Sequence, residues 1–240
     1  MEDYVNEQLK IIGLMGKARS GKDTVASYLF LAGAGTCKKL AFADKLKEIV
    51  AEMFDIKIED FYSQEGKDQE TPYPCLMCPE CDSVAIEHVS MADSGPLASC
   101  RVCGSTGDLS VFASKWTNRK ICQYLGTEGF RRIDPEVWVR FAMNQARQHL
   151  EGNMDSHFVV ISDCRFRSEA TATWAAGGEV WRIKRPGTDK TTEGLKGHAS
   201  EVEQDSILDS EYQAVIQNDG TLENLQGLVN SQLHRFLAKY

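Results

Sequence analysis

The chain has 240 residues, a net charge of −8, and ordinary hydrophobic and charged fractions of 42% and 26%. An acidic chain of this length can bury a full core but argues against sequence-independent binding to nucleic acid, which needs a basic field to neutralise phosphates. Its apolar stretches are all shorter than the ~20 residues of a membrane span, so a membrane partner is not expected.

The first predicted element is a strand that leads through a glycine-rich turn into a helix. Residues 11–15 are apolar, Gly16 and Gly21 bracket the turn, and Lys22 precedes a helix-compatible segment at 24–31. This is the pattern of a P-loop, in which glycine backbone, a helix N-terminus and a lysine surround phosphate oxygens. The segment predicts a nucleoside triphosphate site.

One position departs from the P-loop pattern. Asp23 follows Lys22 where a serine or threonine is expected, and Thr24 comes next. Whether Thr24 or a water molecule contacts the accompanying magnesium ion stays open.

Strands and helices alternate through the rest of the chain. In order, we predict a strand at 37–42, helices at 44–54, 114–130 and 135–150 (the last capped by Asp134), a strand at 158–163, a helix at 168–176, strands at 179–183 and 212–217, and a helix at 222–237. This alternation indicates an α/β class with a three-layer P-loop fold, in which helices flank a parallel sheet and ligands bind at the carboxyl ends of the strands.

The composition changes between residues 72 and 108, where prolines, cysteines and small residues concentrate. Two C-x₂-C knuckles eighteen residues apart predict a closed zinc ribbon with a structural Zn²⁺. The expected ligands are Cys78, Cys81, Cys100 and Cys103. Cys75 is an alternative to Cys78 or Cys81, and His88 is a weaker candidate. The chain has eight cysteines and no secretory signal in residues 1–10, which predicts a reducing compartment, by default the cytoplasm.

Charged side chains follow the strand at 158–163. Asp163 lies where an acid could hold a metal ion or its water shell. The alternative is that Asp163 only caps the following helix. Arg165 and Arg167 can clamp a phosphate in a bidentate manner.

Further basic residues flank a polar, glycine-containing segment at 186–205, whose composition is typical of a mobile lid over a site. Arg185 lies at its hinge, and the segment contains His198, Glu201 and Glu203. Arg131 and Arg132 form another basic pair. A functional role for this pair and a simple location on the surface near a helix end are equally good interpretations.

Several motifs together resemble one family. They are the P-loop at 16–24, residues 40–44 before Lys45, residues 125–128 before Arg131 and Arg132, Asp134 and Pro135 with Trp138, residues 161–166 with Glu169, residues 198–201, and residues 218–221. In these motifs the chain resembles the phage-type deoxynucleoside monophosphate kinases of the P-loop superfamily. The match places the kinase core at 1–71 and 109–240, and 72–108 as an insertion.

This resemblance implies transfer of the ATP γ-phosphoryl group to a deoxynucleoside monophosphate, with Mg²⁺ bound to the ATP, in deoxynucleotide biosynthesis of a phage. A phosphate acceptor is already anionic, so the enzyme has mainly to align two polyanions and neutralise their charge. The enzyme would act in the host cytoplasm. The resemblance leaves a homodimer open.

The resemblance also implies roles residue by residue. Catalytic roles fall to Lys22, Arg131, Arg132, Asp163, Arg165 and Arg185. ATP contacts fall to Gly16, Lys17, Ser20, Gly21, Lys22, Asp23, Thr24, Asn218 and Gly220. Substrate contacts fall to Asp44, Lys45, Arg131, Arg132, Trp138, Arg165 and Arg167.

Two other functions fit parts of the pattern. A P-loop kinase with a hydroxyl acceptor, such as a dephospho-coenzyme A kinase, would use Asp163 as a general base. A P-loop ATPase could instead use the zinc ribbon to bind nucleic acid, but acidic residues around the cysteines outnumber the single Arg101. Assays on different acceptors separate these readings.

Overall fold

The computed structural model describes residues 9–92, 95–152, 158–188 and 204–240. Its strands are β1 (Ile11–Met15), β2 (Cys37–Leu40), β3 (Glu70–Leu76), β4 (Ile86–Ala92), β5 (Gly95–Cys100), β6 (Thr106–Asp108), β7 (Ala113–Thr117), β8 (Phe158–Cys164), β9 (Glu179–Lys184) and β10 (Ala214–Gln217). Its α-helices are α1 (Lys22–Ala32), α2 (Asp44–Phe54), α3 (Gln64–Asp68), α4 (Leu109–Phe112), α5 (Asn118–Tyr124), α6 (Val137–Gly152), α7 (Arg167–Ala175) and α8 (Leu222–Leu237). Short 3₁₀ helices cover Ile58–Phe61 and Asp209–Glu211, and a π-helix covers Leu125–Arg131.

The chain divides into two compact units. The first unit combines Met1–Asp44 with Asp134–Tyr240, and the second is Lys45–Ile133. The three-stranded sheet of β4, β5 and β6 falls inside the cysteine-rich segment at 72–108. The insertion boundaries at 72 and 108 stay a prediction.

A five-stranded sheet in the order β10-β9-β1-β8-β2 forms the first unit, and all its strand pairs are parallel. Every residue of β1 is buried, because helices cover both faces of this central strand. On one face α1 and α8 join a common core with Ile12 and Leu14. On the other, a Cβ at Gly13 would meet Thr173 of α7. The predicted α/β class with a parallel sheet flanked by helices is confirmed.

The core beside α1 and α8 contains large side chains. The Phe236 ring lies edge-on to both Trp181 and Phe158, at centroid distances of 6.3 Å. Burying an aliphatic or aromatic side chain of this kind stabilises a fold by about 1.5–3 kcal/mol. This core fixes β1, and with it the start of the P-loop.

The second unit contains two small antiparallel sheets, β3-β7 and β4-β5-β6. Around the cysteine-rich segment, a small buried cluster consists of Cys78, Ala98, Cys100 and Phe112, with Ile86 and Leu109 packed against it. Two of these six side chains are cysteines, so little apolar surface holds the three strands together.

Three predicted elements begin later in the structure than expected, one of them the strand at 212–217, which begins at Ala214. The predicted helix at 114–130 begins at Asn118, because the preceding residues form β7 and pair with β3. The Thr117 hydroxyl then caps α5 by accepting a hydrogen bond from the Lys120 N–H at 3.3 Å. The predicted helix at 135–150 begins at Val137.

No helix in the described part of the chain is both long and apolar enough to cross a membrane. Residues 189–203, which make up most of the predicted lid and include His198, Glu201 and Glu203, lie outside the described residues.

Candidate active site and cysteine cluster

The P-loop lies at the carboxyl end of β1 and opens into α1. A Cβ at Gly16 would collide with the carbonyl oxygen of Ile183. Gly21 caps α1 at a φ of +100°, and a Cβ there would lie 2.5 Å from the Asn218 side-chain nitrogen. Both positions therefore require glycine, and the loop backbone stays free to approach a ligand.

Lys22 and Ser20 are the polar side chains inside the loop. The Lys22 ammonium donates hydrogen bonds to the carbonyl oxygens of Gly16 (2.5 Å) and Lys17 (2.9 Å). Ser20 is 1% exposed, and among the described residues its hydroxyl is the buried side-chain polar atom without a hydrogen-bond partner. A buried hydroxyl left in this way costs about 1–3 kcal/mol, so the loop is built for a polar ligand. Asp23 is exposed and Thr24 half-buried in the first turn of α1.

Asn218, which the sequence assigned to ATP, supports the P-loop in this structure. Its backbone N–H donates to the carbonyl oxygen of Lys184 at 2.7 Å, and its side-chain amide donates to that of Ser20 at 2.9 Å. The end of β10 is thereby attached to the loop. Gly220 is exposed, two residues further along.

Asp163, at the end of β8, accepts hydrogen bonds from the turn before α2. One carboxylate oxygen accepts a hydrogen bond from the Phe42 N–H at 2.7 Å, and the other from the Ala43 N–H at 3.4 Å. Asp44, expected at the substrate, follows directly and is half-buried. Asp163 does not cap α7, because the Glu169 carboxylate fills that role by accepting from the Arg165 and Phe166 N–H groups.

The predicted phosphate-binding arginines of the first unit differ in their surroundings. Arg165 and Arg185 are exposed. Arg167 forms an ion pair with Glu211 at 2.6 Å, and its hydrogen bond lowers the pKa of that carboxyl below the usual value. Trp138, expected at the substrate, is only 5% exposed on the core-facing side of α6.

Sequence reasoning missed a charged network beside the loop. Lys17 pairs with Asp205 at 3.1 Å, Arg182 pairs with Asp209 at 3.2 Å, and Lys184 also pairs with Asp209. Arg182 and Lys184 are two residues apart on β9 and therefore share a face. The alternation of side chains along β9 was the sequence signal that could have found these two residues. No such signal pointed to their partners, which lie more than 20 residues away along the chain.

In the second unit, Arg131 closes the π-helix and is half-buried, while Arg132 is exposed. π-helical turns are rare and occur often at functional sites. Gly126, inside this turn, is buried, and a Cβ there would lie 2.7 Å from the Leu46 side chain. Lys45, the remaining substrate candidate, pairs with Glu48 at 2.9 Å.

The four predicted metal ligands come together. The sulfur atoms of Cys78, Cys81, Cys100 and Cys103 all lie within 4.8 Å of one another. The Cys78–Cys103 and Cys81–Cys100 sulfur distances are each 3.5 Å. A tetrahedral Zn²⁺ with Zn–S bonds of ~2.3 Å needs sulfur separations of about 3.8 Å, so the cluster can hold a metal ion.

Local backbone favours the thiolate form at Cys100, one of the four cysteines. Backbone hydrogen bonds from Cys103 and Val102 lower the pKa of Cys100 to about 6, and metals bind the thiolate. Cys75 is outside this four-residue group and sits on β3 opposite Ser114. The side chain of His88 lies outside the described part of the chain.

A parallel sheet with a P-loop at its carboxyl edge defines the class of P-loop nucleotide-binding proteins. Comparison with known proteins narrows the class. The family model described as deoxynucleotide monophosphate kinase matches residues 89–229. The putative deoxynucleotide monophosphate kinase of Acanthamoeba polyphaga mimivirus is 31% identical over 234 residues, which cover 92% of this chain and 94% of that protein.

Two phage proteins are also similar over nearly their whole length. The deoxynucleotide monophosphate kinase of Enterobacteria phage T4 is 23% identical, covering 94% of this chain and 99% of the phage protein. That of Escherichia phage RB69 is 25% identical, covering 94% and 100%. The chain belongs to the deoxynucleotide monophosphate kinase family and is a phosphotransferase that acts on a nucleotide. A solved dephospho-CoA kinase from Campylobacter jejuni is 14% identical, covers 95% of this chain and 98% of that one, and has a TM-score of 0.38, too low to bear on fold or function.

Proposed function

We propose that this chain transfers the γ-phosphoryl group of ATP to a deoxynucleoside 5′-monophosphate, giving the deoxynucleoside diphosphate and ADP. The observation that carries the proposal is the P-loop itself, with Lys22 at the head of α1 and the buried Ser20 hydroxyl, which has no hydrogen-bond partner among the described residues. The names of the relatives supply the class of acceptor. Transfer between two phosphates needs alignment and charge neutralisation more than a strong base.

The P-loop would hold the ATP phosphates. The backbone of residues 16–24 would surround them, and the Lys22 ammonium would exchange the carbonyl oxygens of Gly16 and Lys17 for phosphate oxygens. Arg185 would add charge beside the triphosphate. Asn218 and Gly220 would lie near the base.

Mg²⁺ bound with ATP would neutralise charge on the β- and γ-phosphates. Thr24, at the start of α1, and Asp163 would hold the ion directly or through water. The Asp163 carboxylate accepts two backbone hydrogen bonds at Phe42 and Ala43. A carboxylate has about four acceptor positions, and an acidic side chain at the end of this strand suits a hydrated cation.

Three arginines would bind the acceptor phosphate: Arg131, Arg132 and Arg165. Arginine suits this task because its planar fork can donate two parallel hydrogen bonds to one phosphate. Asp44, Lys45, Trp138 and Arg167 would complete the substrate contacts. Arg167 would first have to leave its ion pair with Glu211.

A coupled assay with dGMP, dTMP, dCMP and dephospho-coenzyme A tests the reaction. We expect turnover of one or more deoxynucleotides, and Lys22→Ala should lower kcat by about 10²- to 10³-fold by removing charge from the transition state. Lys38→Ala, on the exposed side of β2, is the matched control and should be unaffected. Turnover of dephospho-coenzyme A alone would refute the proposal. ATP hydrolysis that requires DNA would support the nucleic-acid alternative instead.

A second pair of variants tests the acceptor arginines. Arg132→Met should raise the KM for the monophosphate about tenfold, since a charge-assisted contact contributes about 1.5–3 kcal/mol. The KM for ATP should stay within twofold. Arg140→Met removes an exposed arginine that pairs with Asp134 and is the control. Equal KM changes for both nucleotides would count against an acceptor role.

We infer that the cysteine cluster holds a structural Zn²⁺, supported by the sulfur distances. Elemental analysis should give about one zinc per chain, as expected for a four-thiolate site. Cys100→Ser should lose the metal, whereas Cys75→Ser, its matched control on β3, should retain it. Loss of metal in Cys75→Ser alone would reassign the ligands.

We infer a host-cytoplasmic enzyme whose partners are ATP and the monophosphate. All eight cysteines lie in the described part of the chain and are outside disulfides there, which suits a reducing compartment. A homodimer stays an expectation from the resemblance.

A further inference from the structure

One helical run in the second unit connects the cysteine cluster to the acceptor arginines. It consists of α5 and the π-helix Leu125–Arg131, which follow each other without a break. Arg131 is its last residue, and Arg132 comes next. The start of the run lies beside the first cysteine knuckle, and its end carries Arg131. In the sequence the knuckle and the arginine pair are separate motifs with nothing to link them.

Lys120, in the first turn of this run, contacts the knuckle directly. Its ammonium donates a hydrogen bond to the Asp82 carboxylate at 2.8 Å and lies 2.8 Å from the Met77 sulfur. Met77 precedes Cys78, and Asp82 follows Cys81, so Lys120 bridges both sides of the knuckle. The Lys120 side chain is 32% exposed and that of Asp82 is 74% exposed.

A second connection passes through the small core of the unit. Phe112 is 1% exposed and packs in one cluster with Cys78 and Cys100. Its carbonyl oxygen accepts a hydrogen bond from the Met77 N–H at 2.8 Å. Phe112 is followed directly by β7, and Thr117 at the end of β7 caps α5. The knuckle therefore supports the start of the helical run both through Lys120 and through the preceding strand.

Other contacts hold the same helix from a different side. The buried Asn118 amide donates to the carbonyl oxygen of Gly66 at 2.8 Å, and Arg119 pairs with Asp68 at 2.8 Å. These contacts do not involve the cysteines. A change at the knuckle should therefore shift or loosen the run without abolishing it.

We propose that the cysteine cluster positions residues 118–131 through Lys120, so that metal occupancy sets the affinity for the acceptor monophosphate and not for ATP. Lys120 is a positioning residue in this scheme, because it acts through the helix that presents Arg131. Phosphate clamps depend on sub-ångström placement, so a small displacement of the helix is enough to weaken binding. The inference rests on the proposed role of Arg131 and Arg132.

Metal removal from the full-length protein gives the first test. Hydrogen exchange of residues 118–131 should be faster in chelated protein than in protein reloaded with Zn²⁺, since local opening follows the loss of supporting contacts. Calorimetric titration without turnover should show binding of dTMP, dGMP or dCMP weakened by about tenfold, with ATP affinity within about twofold. Unchanged exchange at 118–131 would overturn the proposal.

Lys120→Met tests the link while the metal stays bound. Lys115→Met, on β7, is the matched control, because Lys115 is a more exposed lysine paired with Glu70 at 3.7 Å. Lys120→Met should weaken monophosphate binding about threefold to fivefold, the range for a partly exposed charge pair. Asp82→Asn should have the same effect, and the double variant should add little. Zinc content should not change.

The outcomes separate this inference from the proposed function. If Arg132→Met weakens monophosphate binding but Lys120→Met does not, the positioning role is wrong and the proposed function stands. If Arg132→Met leaves monophosphate binding intact, the proposed function of that arginine fails first. Equal weakening of ATP and monophosphate binding in Lys120→Met would indicate general destabilisation and would also overturn the inference.

Discussion

The two units of this chain hold their backbones in different ways. The first unit buries a cluster of sixteen hydrophobic side chains against β1, β8 and β9. Within the second unit, the cluster around the cysteine knuckles has only four buried residues, two of which are cysteines of the thiol group. Burial of apolar surface can support the first unit without help, whereas a cluster as small as this one usually needs a metal or disulfide. The fold of the first unit is set by hydrophobic pattern, and we expect the fold of the cysteine-rich segment to be set by a ligand set.

The difference extends to function. The P-loop gains its shape from backbone geometry at Gly16 and Gly21, both held by neighbouring atoms of β9 and Asn218. In the second unit, Arg131 lies at the end of a helical run whose start contacts the cysteine knuckle. The P-loop is thus held by the main core, while two of the three proposed acceptor arginines, Arg131 and Arg132, lie in the second unit.

The largest expected effect is on the second unit when metal is removed. Structural zinc contributes on the order of 10–16 kcal/mol of binding free energy at neutral pH, more than a six-residue cluster can replace. Hydrogen exchange should show that chelation removes protection from β4, β5 and β6, while β1 and β8 keep theirs. Protection of β4–β6 that survives chelation would show that the apolar cluster suffices, and the contrast between the units would fail.

A core truncation gives the next largest effect, in the first unit. Leu14→Ala removes a fully buried side chain from β1, and such changes cost about 2–5 kcal/mol. Denaturant unfolding should show this loss equally with and without chelator. Leu31→Ala, at a 69% exposed position on α1, should change stability by no more than about 0.5 kcal/mol. Metal-dependent destabilisation by Leu14→Ala would contradict a self-sufficient core.

Asn218→Ala should affect the P-loop by a smaller amount. The change leaves the Ser20 carbonyl oxygen without the donor that lies 2.9 Å away, at a cost of about 1–3 kcal/mol. We expect the KM for ATP to rise about tenfold, with little change in the KM for the monophosphate. Gln217→Ala, on an exposed neighbour, is the control. An unchanged KM for ATP would mean that the loop holds its shape without Asn218.

The smallest expected effect is a pH dependence in the first unit. Burial raises the pKa of Tyr212 to about 12, and its hydroxyl donates to the Met15 sulfur at 3.0 Å. The protonated phenol is thus favoured in the folded state, so its contribution is full below pH ~10 and is lost as pH rises toward 12. Tyr212→Phe should flatten the loss of stability between about pH 10 and 12, measured by denaturant midpoints. Parallel pH profiles for both proteins would rule out this contribution.

Much of the helical structure could be predicted from local pattern. The bounds of α2 and α8 agree with the predicted 44–54 and 222–237, because their apolar residues recur at helical spacing. The prediction of a helix at 114–117 was wrong because a distant strand decides the conformation there. Trp116 fits a helical face when counted with Ile121. However, β7 gains hydrogen bonds from β3, some 40 residues earlier, and a local pattern cannot show that partner.

Candidate site residues also divide into those that local spacing predicts and those whose contacts depend on distant parts of the chain. The residue types and spacing of 16–24 indicated the P-loop, and the knuckle spacing indicated the four thiols that the structure brings together. The partners of Asp163 and Asn218 could not be predicted, because they lie in the turn after β2 and in the loop after β1. Lys120 carried no signal, since a lysine in the first turn of a helix is common on any surface.

The sequence by itself determined the class of fold, the P-loop and the set of four clustered cysteines, because each depends on residue type at short, fixed spacing. Only the tertiary structure decided that β7 is a strand, that Asn218 supports the P-loop, and that Lys120 joins the cysteine cluster to the helix of Arg131. Each of these rests on contacts between residues far apart in the chain. Such contacts form only when burial of the surrounding side chains offsets the entropy of bringing distant segments together.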